Sequence, residues 1–322
     1  MTPLRVSLFA GGVAVLALAF PLPVYALSLG AFGLVHVLTE LRYVDLRFTN
    51  RLPTRLLAIW SLLLGLVMLV RVLAMTGALA GEPRALAELG VVMLLGLSVL
   101  VLARRHGPRT GLLGTLAVTV VALLLFGSAK APFETLVILA LLHNLTPVGF
   151  LAERLECGAR RRAMAACALL FGIIPLGIVT GVPRWALAGI GWDGAALAVP
   201  RVGDVTHHMG VFVPSWVSGG FAVDLFTAAV YLQCMHYAVV IGVLPRLLSS
   251  SARAGMVPWP PPSRFVVALA ATGAISLLAF AVSFSDTRQL YGVFAAVHAW
   301  IEVPVLLAAL VLARPAPTLE AS

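Results

Sequence analysis

The chain has 322 residues, 61% hydrophobic and only 11% charged, with a formal net charge of +9 and a mean hydropathy of +1.04. A soluble domain of this size is about one quarter charged, so a water-facing globular surface is excluded and one all-α integral membrane domain over residues 1–322 is expected. The positive balance does not point to nucleic acid, because the arginines sit at the ends of apolar runs, where membrane topology accounts for them.

Ten apolar segments follow in chain order, at 6–26, 27–47, 56–76, 86–103, 110–128, 131–152, 163–182, 219–245, 265–284 and 288–313. Each approaches the roughly 20 residues that cross a bilayer. Arg5 ahead of the first run and the small-residue stretch Val24-Tyr25-Ala26 also fit a signal peptide, but the charge pattern requires this segment to span. With the N-terminus inside and the segments alternating, Arg5, Arg42, Arg47, Arg51, Arg55, Arg104, Arg105, Arg109, Arg154, Arg160, Arg161, Arg162, Arg246, Arg253, Arg264 and Arg314 fall inside. Only Arg84, Lys130, Arg184, Arg201 and Arg288 fall outside, and Arg71 lies within a segment. The positive-inside rule therefore predicts about ten transmembrane helices in one bundle, N and C termini cytoplasmic, in a plasma (bacterial inner) membrane.

The long connection, residues 183–218, falls outside. It carries Trp185, Trp192, Trp216, Asp193, Asp204 and His207-His208, and its apolar tract Ala195–Pro200 predicts a cap on the membrane surface. Cys157, Cys167 and Cys234 show no C-x-x-C spacing and read as small buried packing residues. No internal repeat is evident.

His106 sits in an arginine-rich turn and reads as solvated. His36, His143, His236 and His298 lie within segments that all run from outside to inside. The first three precede Arg47, Arg154 and Arg246 by about 15 Å of helix rise, near the middle of a ~30 Å hydrocarbon core. His298 lies somewhat nearer the outer face. Glu40 and Glu302 follow His36 and His298 by one helical turn, so each pair shares a face. Tyr43 and Tyr291 extend those stripes and are candidate catalytic groups. Asn144, Gln233 and Tyr237 neighbour the other two histidines and could orient them.

Taken singly, each histidine reads as readily as a hydrogen-bonded packing residue, and a His-x-x-x-Glu pair as a polar clasp between helices. Ionisable groups in hydrocarbon cost roughly 2.5 kcal/mol or more each and generally mark function. Helix-borne imidazoles and carboxylates pointing inward are also how carboxylate-bridged metal sites are built. The predicted ligands are thus His36, Glu40, His143, His236, His298 and Glu302. His207 and His208 read as exposed residues or as added ligands, and Glu134 and Asp224 as solvated helix-end groups.

Such a donor set suits one or two iron ions, and also zinc, copper or manganese. The expected activity is that of a non-haem iron oxygenase, hydroxylase or desaturase acting on a lipophilic small molecule, served by membrane lipid and a redox partner. The histidines with an acid one turn later on an early and a late helix, His36/Glu40 and His298/Glu302, resemble the Brp/Blh-type bacterial membrane carotene oxygenases. His143 and His236 would stand on the intervening helices. That family's early His-Gly-x-x-Asp and His-Phe-Gly motifs are absent, and Glu stands in place of Asp. The resemblance implies a metal-dependent oxygenase of isoprenoid-like substrates. Two other classes compete: a proton- or metal-coupled transporter, which would show broken helices in paired repeats, and a haem-binding electron-transfer protein with imidazole axial ligands.

Overall fold

A computed structural model describes residues 3–103, 110–248 and 255–312. The expectations for Arg104, Arg105, His106, Arg109, Arg253, Arg314 and the C-terminus lie outside these residues. The chain is an all-α membrane protein, with no strand among the described residues beyond an isolated bridge between Val199 and Gly203.

The helices are α1 (Pro3–Ala19), α2 (Pro21–Phe48), α3 (Thr54–Met75), α4 (Gly81–Ala103), α5 (Thr110–Lys130), α6 (Pro132–His143), α7 (Thr146–Arg154), α8 (Cys157–Ala168) and α9 (Ile174–Val179). Then come α10 (Val182–Gly189), α11 (Val205–His208), α12 (Gly219–Gly242), α13 (Leu244–Leu247), α14 (Pro262–Val282) and α15 (Phe284–Leu312). By length and composition six spans among the described residues can cross a membrane, or seven if the bent pair α6–α7 is one span. The apolar helices Arg5–Ala19 and Val118–Lys130 are shorter.

Proline sets the breaks. The first expected boundary, at residue 26, falls instead at Phe20, because Pro21 and Pro23 lack the N–H groups that would continue α1. The expected single helix over 131–152 bends by 40° between His143 and Thr146, ahead of Pro147. Carbonyls freed there are recaptured locally: Asn144 Nδ2 donates to Ala140 and Leu141, both at 3.2 Å, and Thr146 Oγ1 donates to His143 at 2.7 Å. Pro175 is accommodated by a π-helical turn over Leu169–Ile173, which widens the helix around the carbonyl its ring would strike.

α2, α12 and α15 form the centre and others face outward. Of the spanning window in α12 67% is buried, against 17% in α14, whose Val266, Val267, Ile275, Leu278 and Val282 are exposed. That apolar exterior is what lipid contact requires. α2 packs on α12, α14 and α15, and α15 also packs on α3, α4 and α7.

Residues 183–218 lie over one end of the bundle. Trp192 Nε1 donates to Ala19 O at 3.0 Å, Arg201 to Ala281 O at 3.0 Å, and Ser215 to Glu134 at 2.5 Å. His208 is buried, donating from Nε2 to Val202 O at 2.7 Å and accepting at Nδ1 from Arg288 at 2.8 Å. Asp224, expected to be solvated, is buried and accepts twice from Arg184, at 2.7 and 3.1 Å. A carboxylate cannot stay unpaired at that depth. Trp185 and Trp216 remain exposed. At the opposite end Arg47 pairs with Glu153 at 2.6 Å, and the Asp45 carboxylate accepts from Met256 N, Val257 N and Trp259 Nε1 at 2.9–3.0 Å. These contacts orient α2, α6–α7, α12 and α15 in parallel, each running from the capped end to the arginine-rich end.

One clasp lies deeper. Glu88 on α4, fully buried, accepts from Arg71 on α3 at 2.5 Å and from Trp300 Nε1 on α15 at 2.8 Å. Replacing Glu88 by Ala strands both donors; a loss of about 3 kcal/mol is expected, read as a lower unfolding midpoint in detergent. An unchanged midpoint would show that the clasp contributes nothing.

A second expectation concerns pH. Burial, and after it the Arg288 charge, push the His208 pKa below its ordinary 6.5. Protonation is therefore easier in the released cap, so the cap's packing holds above pH 6.5 and weakens as pH falls through and below that value. Proteolysis of 183–218 in sealed membranes should accelerate below about pH 6, and His208→Gln should flatten that profile.

Candidate metal centre

The parallel course of four helices brings four imidazoles together in the interior. His36 on α2, His236 on α12 and His298 on α15 are almost wholly buried, as are Glu40 and Glu302. His143 ends α6 at the bend and is nearly as deep. Ring centroids lie 4.7 Å apart for His36–His298, 5.3 Å for His36–His236, 4.7 Å for His143–His236 and 4.8 Å for His143–His298. His36, His143, His236 and His298 each offer one ligand atom within 4.8 Å of all the others, and so do Glu40, His236, His298 and Glu302. The two groups share His236 and His298, so the six side chains form one continuous donor set.

The donors fit a cation. His36 donates from Nδ1 to Phe32 O at 3.2 Å, which leaves the Nε2 lone pair facing the cluster, the tautomer that a ligating imidazole needs. His36 Nε2 and His298 Nε2 are 3.0 Å apart; two nitrogens bound at 2.0–2.1 Å to one ion at right-angled to tetrahedral geometry lie about 2.9–3.4 Å apart. His143 Nδ1 lies 2.6 Å from Glu302 Oε2 without hydrogen-bond alignment, and His236 Nε2 lies 3.5 Å from Glu40 Oε2. Both oxygens of Glu40 and of Glu302, both nitrogens of His236 and Nδ1 of His298 are buried with no hydrogen-bond partner. So many lone pairs left unsatisfied in an apolar interior is what a shared metal relieves, since buried polar atoms are otherwise paired.

The remaining expected residues divide. Tyr237 stacks on His36 with centroids 4.1 Å apart, and its hydroxyl lies 3.5 Å from that of Tyr291. Tyr43 does not join them: it packs against Phe48 and Phe150 toward the arginine-rich end, seven residues past His36 along α2. Neither Asn144 nor Gln233 bonds to an imidazole. The Asn144 amide serves the carbonyls freed at the bend, and Gln233 Nε2 donates to Ser28 Oγ at 2.9 Å. The carbonyl of Phe32, one turn before His36, does the orienting instead. His207 is exposed and His208 bonds to Arg288 and Val202, so neither joins the cluster. Cys157 is exposed rather than buried, Cys234 is half-buried, and only Cys167 matches a packing residue.

A cavity of about 540 Å³ reaches from the capped end to this cluster. His36, His143 and His298 form its inner wall with Tyr237 and Tyr291 beside them, and Arg71, Arg84 and Arg288 line it toward the cap. A smaller apolar cavity of about 190 Å³ reaches His143 between α4, α5, α6 and α15. The arginines and Trp300 are among the lining residues that the histidine pattern alone does not find. Arg71 carried a signal, being a charge inside an apolar segment. No family model matches this chain, and the comparisons with curated proteins and with solved structures gave no match either.

Proposed function

We propose that this protein is a membrane-embedded metalloenzyme of the non-haem iron oxygenase class, hydroxylase or desaturase chemistry included, acting on a lipophilic small molecule. The observation that carries this reading is the convergence of His36, Glu40, His143, His236, His298 and Glu302, with orphaned lone pairs, at the inner end of a cavity. Imidazole and carboxylate without thiolate suit iron, zinc, manganese and copper. Iron is preferred because dioxygen partitions into hydrocarbon and an apolar cavity reaches His143. The ion would activate dioxygen toward a substrate C–H or C=C bond, with electrons from a redox partner. The four histidines, with His36 fixed by Phe32 O, and the two carboxylates would hold it. Tyr237 and Tyr291 present hydroxyls to the cavity and would donate a proton to, or orient, the bound molecule. The buried walls would exclude water.

A transporter is the second reading, supported by the bend at His143. A single bent pair among the described residues gives no paired repeat. Haem between His36 and His298 is disfavoured: axial nitrogens stand about 4 Å apart across a porphyrin, twice a bond of 2.0–2.1 Å, and these are 3.0 Å apart with rings crossed at 79°.

The proposed topology has ten crossings and cytoplasmic termini in a bacterial inner membrane. α1, with 17 residues, reaches the lower end of a crossing length, and the Glu88 charge on α4 is met by Arg71. Reporter fusions at Ala80 and Pro200 should read outside and fusions at Gly107 and Gly255 inside. A C-terminal fusion reading outside would refute the even count.

Purified protein should contain iron and show no Soret band. His236→Ala, which removes a donor common to both groups, should lower bound metal at least tenfold, whereas His207→Ala should leave it unchanged. Metal-free wild-type protein after expression in iron-replete medium, or stoichiometric haem, would overturn the enzyme reading.

A further inference from the structure

The cavity carries a charge pattern that the metal cluster does not explain. Three arginines line its capped half, and no aspartate or glutamate lines it among the described residues. Arg71 is met by Glu88 behind the wall. Arg288 donates to His208 Nδ1, a neutral acceptor that leaves the guanidinium charge uncompensated. Arg84 is half-buried, makes no ion pair among the described residues, and its Nε is buried without a hydrogen-bond partner. Two guanidinium groups held partly out of water with no directly paired carboxylate among the described residues, the nearby Glu88 being engaged by Arg71, are costly unless an anion joins them, and guanidinium is the group best shaped to grip a carboxylate or phosphate.

Position along α15 adds a length. Arg288, Tyr291, Ala295 and His298 all face the cavity from this one helix. Ten residues separate Arg288 from His298, a rise of about 15 Å. An occupant gripped by the arginines would therefore have to be extended to reach the imidazoles. Tyr25, Leu29, Leu136, Val137, Phe212 and Ala296 between them supply apolar walls.

We infer that the substrate is an anionic amphiphile: an acyl or isoprenoid chain whose terminal carboxylate or phosphate docks on Arg84 and Arg288, with the chain directed at the His36–His298 cluster. This rests on the enzyme reading for the chemistry at the inner end, but the anion site stands on the arginines alone. A neutral hydrocarbon would leave both cations unmet.

The test is binding to full-length protein in phosphatidylcholine nanodiscs, with decanoate, decyl phosphate, methyl decanoate and inorganic phosphate as probes. Decanoate or decyl phosphate should bind at least tenfold more tightly than methyl decanoate and than inorganic phosphate. Arg84→Gln should abolish the preference over the ester. That variant breaks no ion pair among the described residues, so its thermal midpoint should not fall and its metal content should match wild type; Arg288→Gln provides a second variant should the first misfold. Equal affinity for decanoate and its methyl ester, or a preference that survives both substitutions, would overturn the inference. Inorganic phosphate binding as tightly as decyl phosphate would also overturn it, assigning the arginines to a free anion. Elemental analysis of the same samples separates the two readings. Metal present without an anion preference sinks only the substrate class, and an arginine-dependent preference without metal sinks only the enzyme.

Discussion

Six ionisable side chains buried at one point inside an apolar bundle are the constraint from which the rest of the structure follows. A charged group costs roughly 2.5–3.5 kcal/mol to place at the centre of a membrane helix, and none of the four carboxylate oxygens finds a hydrogen-bond donor among the described residues. α2, α12 and α15 carry five of the six, with His143 on α6, and of the six spanning windows theirs have the largest buried share. α3, α14 and the span over Cys157–Val179 carry none of the six and expose most of their spanning windows. Burial here is set by where the polar atoms must be hidden, because apolar side chains gain little by leaving lipid for protein.

The same constraint explains where the polar residues around the cluster went. A bend before Pro147 places His143 at the end of α6, where it can turn into the cluster. The bend frees carbonyls, and Asn144 and Thr146 are spent on those. Farther along, Glu88 draws Arg71 and Trp300 into a three-helix contact that closes one cavity wall. At the capped end Arg184–Asp224 and Arg288–His208 tie the 183–218 segment to α12 and α15. The buried carboxylates Glu88 and Asp224 are thus paired with arginines and Arg288 is handed to a neutral acceptor, while Arg84 makes no ion pair among the described residues.

Much of the candidate site was legible because depth in a membrane can be read from sequence. His36, His143 and His236 are each ten or eleven residues ahead of an arginine that stops at the water, and helix rise turns that spacing into a common level. The turn-spaced Glu40 and Glu302 follow from periodicity. What was not legible depends on rotation and on neighbours. Tyr43 shares a stripe with His36 yet lies too far along the axis. Gln233 is one turn from His236 yet meets Ser28 of another helix. The fate of Asp224 hinged on Arg184, forty residues away. Hydropathy found the apolar segments, while Pro21, Pro147 and Pro175 decided where their helices start, bend or widen.

α15 brings these strands together. Its cavity face runs from Arg288 through Tyr291 to His298, and Glu302 follows one turn later. All four are fixed to one backbone, so any slide or rotation of the helix moves the arginine end and the imidazole end together. Pro304 lies within this helix, and the carbonyl that loses its partner is that of Trp300, four residues earlier. The stretch from Arg288 to His298 therefore keeps its ladder, and the missing bond falls past it, near Glu302, whose Oε2 lies 2.6 Å from His143 Nδ1, in a helix that runs on to Leu312. A proline one turn earlier would take its missing bond from the carbonyl of Ala296, within the stretch that carries the cavity face; placed at 304, it leaves that stretch its full ladder.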